Sequence, residues 1–242
     1  MECTSIKSLD EIISQLQPGD WFIVDVDDTL IAPKAIMFRP QSPSYGFIDS
    51  LKKTAPQTLP KILSTWRLNR KTMLVEPQWP EILKQLKNKG VTVLALTQMN
   101  TGSFGKIASM EKWRATELTQ LNLTFSPFAI DSVETIIASD EAATLYQGIL
   151  FTGSHSKAAV LEAFIKKYHK PNRIVFIDDR LHQVEDLSEF CKTTNIPYHG
   201  YHYLGASKLP YDALKDFGAI QTQMIANCQW VEDEQASKKQ GN

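Results

Sequence analysis

The chain has 242 residues, 43% hydrophobic and 22% charged, with a net charge of −1. That length suits one domain with an insertion or two small ones, and the near-neutral charge leaves no basic footprint for nucleic acid. No apolar run reaches the length needed to span a bilayer. The N-terminus lacks an apolar signal region, so a cytoplasmic protein is expected, or an exported one if a leader has been trimmed. Cys3, Cys191 and Cys228 show no metal-ligand spacing and read as reduced thiols. A Cys191–Cys228 bridge enters only for an exported protein.

In chain order, SLDEIISQL (8–16) predicts a short amphipathic helix with Ser8 as cap, broken by Pro18-Gly19. WFIVDV follows, a continuous apolar run ending in acid, which suits a strand buried on both faces of a parallel sheet. Residues 31–76 are rich in proline and polar residues around one helical stretch, TLPKILSTWRLNRK, and read as an insertion. WPEILKQLKNKG (79–90) carries Pro80 near its start, lysines in its last turn and Gly90 past its end, the marks of a helix. VTVLALT (91–97) is a second buried strand.

A second irregular stretch, 98–156, holds a helix around 108–121 and two β-like runs, ETIIAS and LYQGILFT, that pair as a hairpin. SKAAVLEAFIKKY (156–168) is amphipathic, with Lys166-Lys167 on its solvated face. RIVFID is a third buried strand ending in acid. A helix (QVEDLSEFCKTT), a β-like IPYHGYHYLG and a last helix (YDALKDFGAIQTQMIANC) complete the pattern, and 231–242 reads as a frayed tail.

Strands alternating with helices predict a doubly wound α/β, Rossmann-like core with a parallel sheet. The expected division is a core of 1–30, 77–97 and 157–230, with small cap-type insertions at 31–76 and 98–156. In such sheets ligands sit beyond the carboxyl ends of the strands. The chemistry-bearing residues fall there. The first strand ends in Asp25, Asp27 and Asp28, and the third in Asp178 and Asp179. Five carboxylates on neighbouring strand ends repel unless a cation joins them, and Mg²⁺, which prefers oxygen ligands, suits them.

Alternation places Asp25 and Asp27 on one side of their strand. One carboxylate can attack phosphorus while the other handles protons. Thr97 offers a hydroxyl to a phosphate oxygen, and Lys157 a cation at the first turn of a helix. Each has a plainer reading. Alone, Thr97 is a common strand end and Lys157 a surface lysine. Ser154 and Ser156 read as caps, with Ser154 or His155 as alternative phosphate contacts. Asp28 orients its loop, Thr29 makes a local turn bond, and Asp179 caps the next helix or helps at the metal. His155 and His182 are local hydrogen-bonding residues. Arg180 is a supporting or surface charge. Trp66, Trp79 and Trp113 pack the core, although Trp66 with Arg67 and Arg70 could line a cap surface.

Asp25-x-Asp27-x-Thr29 after an apolar strand resembles the first motif of the haloacid dehalogenase (HAD) superfamily. Thr97 resembles the second, Lys157 the third and Asp178-Asp179 the fourth, in that order over residues 21–180. The stretches YQGILFTGSHSK and WRATELTQLNLTFS resemble more closely a bacterial HAD-like family of unknown function. The superfamily resemblance implies a phosphatase. Asp25 would be the nucleophile, Asp27 the general acid and base, and Thr97 and Lys157 would hold phosphoryl oxygens. Asp25, the Asp27 carbonyl, Asp178 and Asp179 would hold Mg²⁺. The implied partner is a small phosphorylated substrate. Competing readings are phosphotransfer to an acceptor other than water, and a non-catalytic binding protein on the same scaffold.

Overall fold

The computed structural model describes residues 1–240. Its elements, in order, are β1 (Glu2–Cys3), α1 (Asp10–Gln15), β2 (Trp21–Val24), β3 (Ile31–Pro33), α2 (Phe47–Thr54), α3 (Leu59–Asn69), β4 (Thr72–Leu74), α4 (Trp79–Asn88) and β5 (Thr92–Thr97). They continue with α5 (Met110–Gln120), β6 (Glu134–Ile137), β7 (Ala143–Tyr146), β8 (Ile149–Phe151), α6 (Lys157–Lys167) and β9 (Ile174–Asp178). Last come α7 (Leu181–Thr193), β10 (Tyr198–Tyr203), α8 (Gly218–Ala226) and α9 (Asp233–Gln240).

Eight strands form one sheet in the order β1-β10-β9-β2-β5-β8-β7-β6. The first six in that order are mutually parallel, and only β7 runs against its neighbours. This is an α/β fold with a mostly parallel, Rossmann-like sheet. The continuous apolar runs are explained by its two covered faces. Phe22 and Val24 of β2 face one core with Trp79, Leu83 and Leu118, while Trp21 and Ile23 face another with Leu161, Phe164 and Leu187. β5 and β9 divide their side chains the same way, so each strand is buried on both sides. Helices α1, α4 and α5 cover one face and α6 and α7 the other. Among the described residues no helix is long and apolar enough to cross a membrane. No disulfide forms; Cys3 and Cys191 are buried thiols and Cys228 is free.

Three boundaries differ from the sequence reading. The segment 98–156 is not set apart from the sheet. Its β8 lies directly beside β5, in parallel register Ala95 to Ile149 through Thr97 to Phe151, and β7 and β6 extend the sheet outward. The reason is local. Gln147 and Gly148 both take positive φ, at 50° and 74°, and reverse the chain within the run read as one strand. Second, α8 does not join the core: Ile225 packs with Ile62, Leu63 and Trp66 of α3. Third, residues 231–240 are docked rather than frayed. Ala236 is fully buried, and Asp233 accepts hydrogen bonds from the Ile36 amide (3.0 Å) and Gln221 (2.9 Å). Residues 241–242 lie outside the described residues.

The segment 31–76 leaves and rejoins the core through β3 and β4, which pair antiparallel as a separate ribbon. Both segments reach the carboxyl end of β2. Arg70 comes from the first and Arg114 from the second, and both approach Asp27.

Candidate functional site

The site forms where β2, β5 and β9 end. Asp25 keeps strand pairing, its amide donating to the Ile177 carbonyl at 2.9 Å. Asp28 then turns the chain with φ 60°, a left-handed conformation that Asp tolerates better than most residues, and its amide donates to Ile31 at 2.8 Å. That turn fixes the Asp25 and Asp27 carboxyls at the strand end.

Lys157, the first residue of α6, is only 2% exposed. Its Nζ bridges Asp25 Oδ1 and Asp178 Oδ2, the latter at 2.6 Å. Ser156 is the helix cap, its hydroxyl accepting from the Ala159 amide at 3.2 Å, and so directs Lys157 inward. Burial alone would lower the lysine's pKa, but Asp25 and Asp178 overcome it and raise the value. Asp178 Oδ1 also accepts from the Arg180 amide at 2.9 Å. Thr97, 1% exposed, joins Asp25, Asp27, Lys157, Asp179 and Arg180 in lining a small cavity of about 40 Å³.

Oxygens of Asp25, Asp178 and Asp179 lie within 4.8 Å of one another. Burial, then the neighbouring carboxylates, push Asp179 above the ordinary range; burial also raises Asp25 despite Lys157. Burial and the Asp27 charge raise Asp28 to about 6. Lys157 and Arg180 together leave this group of four carboxylates short of positive charge. All donors are hard oxygens, so the set fits a hard divalent cation.

Asp27 is placed differently. Its carboxylate is 45% exposed yet held from behind by Arg114 Nη2 at 2.7 Å, with Arg70 Nη2 at 3.7 Å. Burial opposes ionisation, but Arg114, Arg70 and Arg67 outweigh it and hold the pKa below the ordinary carboxylate value. Arg114 is itself 1% exposed and shared with Glu117 at 2.6 Å.

The structure thus brings together Asp25, Asp27, Thr97, Lys157, Asp178 and Asp179. Ser154 and His155 turn away: Ser154 donates to the Glu141 carbonyl at 3.3 Å, and His155 pairs with Ser139 at 2.9 Å. Thr29 makes no turn bond; its buried hydroxyl has no partner among the described residues. Sequence reasoning missed Gln98, which lines the cavity beside Thr97 and accepts from Gln183 at 3.2 Å. It also missed Arg114. The signal was present: Met110, Arg114 and Leu118 recur every four residues, which places a charge on the apolar stripe of a helix.

Fold and site together define an α/β protein with a mostly parallel sheet, whose strand ends carry a buried lysine among clustered carboxylates. The chain belongs to the family described as "Protein of unknown function (DUF2608)", whose model matches residues 2–237. It is 30% identical over 238 residues to "Uncharacterized protein RP296" of Rickettsia prowazekii, covering 96% of this chain and 86% of that one. It is 25% identical over 227 residues to a Chlamydia trachomatis protein named "Putative outer membrane protein", covering 90% and 82% respectively. No solved structure matches the chain.

Proposed function

We propose that this protein is a Mg²⁺-dependent phosphohydrolase of the HAD type, cleaving phosphomonoesters through an aspartyl-phosphate on Asp25. The supporting observation is the bridge from Lys157 to Asp25 and Asp178, beside Thr97, in the order and strand-end placement of the four motifs. Asp25, the Asp27 carbonyl and Asp178 would hold Mg²⁺, with Asp179 helping, and the bound ion would neutralise charge on the transferring group.

The free Asp25 oxygen attacks phosphorus as the bond to the leaving oxygen breaks; an aryl oxide leaves as the anion, and a more basic alkoxide takes its proton from water. Water then attacks the aspartyl-phosphate, gives its proton to Asp27, and releases inorganic phosphate and Asp25. Lys157 and Thr97 steady the phosphoryl oxygens through both steps. The arginine clamp keeps Asp27 ionised, which suits it better to accept the proton of water than to supply one to the leaving oxygen. Aryl phosphates, which leave without a proton, are the natural first substrates to test.

Turnover of p-nitrophenyl phosphate should vanish with EDTA and return with Mg²⁺. Unchanged turnover after thorough chelation removes this reading.

A second expectation concerns stability. A carboxyl whose pKa is raised in the fold stabilises the metal-free protein at low pH, and that contribution is lost as pH climbs through the raised value. Asp25 and Asp179 are such groups. Mg²⁺ competes with their protons, so its effect should grow with pH. At a hundredfold excess over Kd it should add about 2.7 kcal/mol, a Tm gain of roughly 5–10 °C, near pH 8, and little near pH 5. A gain that is equal at both pH values, or absent at both, contradicts the assignment of these carboxylates to the metal.

A further inference from the structure

A second cavity, about 410 Å³, opens between α3 and α5, behind the arginines that hold Asp27. Lys34, Arg67, Arg70 and Lys71 line it, and Glu117 is its one carboxylate. Glu117 is already engaged. It receives Arg70 through Nε at 3.2 Å and Nη2 at 3.1 Å, and Arg114 Nη1 at 2.6 Å.

Arg67 is different from its neighbours. No carboxylate pairs with it among the described residues. Its guanidinium meets only the Met110 sulfur at 3.9 Å and the Phe104 ring at 5.0 Å. Three guanidiniums, Arg67, Arg70 and Arg114, thus face two carboxylates, Asp27 and Glu117. Lys34 and Lys71 add two further cations at the rim, with no carboxylate paired to either side chain among the described residues. A largely buried guanidinium without a counter-ion is costly, and like charges beside it add to the cost. Burial and the Arg114 and Arg70 charges lower its pKa to about 10, which still leaves it charged at neutral pH.

We propose that this cavity is an anion site that takes a phosphate group. Arg67, whose guanidinium has no carboxylate partner among the described residues, lines it with Lys34 and Lys71 and beside Arg70, whose Nε and Nη2 Glu117 holds; this surplus of cations matches a dianion with several acceptor oxygens better than a single carboxylate. Trp113 and Leu121 complete the wall and can cover a short carbon portion of the ligand. Arg70 belongs to both places, lining this cavity while lying 3.7 Å from Asp27. The phosphate is therefore either a second group on the substrate or a separate effector bound behind Asp27. Binding itself does not depend on the phosphohydrolase reading; only the assignment between these two sources does.

The test is calorimetric titration with inorganic pyrophosphate in EDTA. EDTA removes any metal that could hold the probe at Asp25, and loss of binding in Arg67→Gln assigns the site to the basic cavity. One site is expected on the wild type. Arg67→Gln should weaken it about ten- to a hundredfold, the scale of one charge-assisted hydrogen bond. Lys71→Gln, an exposed change that leaves the fold intact, should weaken it less. Melting temperature separates binding from a structural role: removing an unpaired cation should leave Tm equal or higher, whereas an arginine kept for packing would lower it. No binding to the wild type, or binding by both variants as tight as the wild type's, overturns the proposal.

With Mg²⁺, propane-1,3-diol bisphosphate and propyl phosphate then distinguish the sources. A lower KM for the bisphosphate, lost in Arg67→Gln, places the second phosphate on the substrate. Equal KM values alongside pyrophosphate binding place it on an effector. If neither compound turns over while pyrophosphate still binds, the anion site stands on its own and the phosphohydrolase reading is decided by the p-nitrophenyl phosphate assay.

Discussion

Asp25→Asn is expected to fold normally and to lose turnover by on the order of 10⁴–10⁶-fold, the scale seen when a covalent nucleophile is removed. The change keeps size and shape at a position only 6% exposed. It removes one of two negative partners of Lys157, but Asp178 still holds that lysine at 2.6 Å, so the helix start should stay in place. Because burial raises the Asp25 pKa, a neutral amide there resembles the protonated acid that metal-free protein already tolerates. A Tm within a few degrees of wild type should accompany the loss, and that pairing is the informative result. Asp27→Asn should lose less, about 10²–10⁴-fold, since it removes proton transfer and leaves the nucleophile. Turnover in Asp25→Asn above that of Asp27→Asn would reverse the two roles.

Arg114→Leu should produce the largest loss of stability. The side chain is 2% exposed and holds Asp27 and Glu117 together. Leucine leaves Glu117 with Arg70 alone and the half-exposed Asp27 with only the more distant Arg70. Removing one partner of a buried ion pair costs about 3–5 kcal/mol. Arg70 still reaches Glu117 at 3.1 Å and water reaches Asp27, so a loss below that range is expected, about 2 kcal/mol or roughly 4–8 °C in Tm. The pH dependence carries a sign. Asp27 has its pKa depressed in the fold, so its ion pair stabilises above the unfolded carboxylate value of about 4 and is lost as pH falls through the lower folded value. The gap between wild type and Arg114→Leu should therefore be full at neutral pH and narrow in acid. Adding Asp27→Asn should recover part of the loss, because the carboxylate that has lost its closest cation leaves with it, while Arg70 keeps Glu117. Differential calorimetry of the single and double variants reads all of this. A gap that widens in acid would contradict the ion-pair account.

Much of the sheet was legible because its signal is local. WFIV, VTVLALT and IVFID are apolar throughout, and a strand buried on both faces reads that way without any knowledge of its neighbours. Asp25, Thr97 and Asp178-Asp179 follow those runs directly, and Lys157 sits just inside a helix with a serine cap, so their places at the strand ends followed. The parts that were not legible depend on contacts distant in sequence. Ile149–Phe151 is only three residues long and gains its strand character by lying beside β5. Asp233 and Ala236 sit in a polar stretch, and their docking depends on the Ile36 amide and Gln221. Arg114 was invisible as a site residue because its partner is 87 positions away, although its place on the apolar stripe marked it as unusual. Arg67 and Arg70 read as a cap surface. What the sequence did not show is that one arginine is paired and the other is not.

The most direct test of the central claim is intact-mass spectrometry of acid-quenched protein after mixing with p-nitrophenyl phosphate and Mg²⁺. In Asp27→Asn the aryl group leaves without needing a proton, while breakdown of the intermediate lacks its base. That variant should therefore carry one added phosphoryl group, mapped by peptide analysis to Asp25. Asp25→Asn should carry none. A phosphoryl group on Asp25→Asn, or one mapped to any residue other than Asp25, would contradict the account.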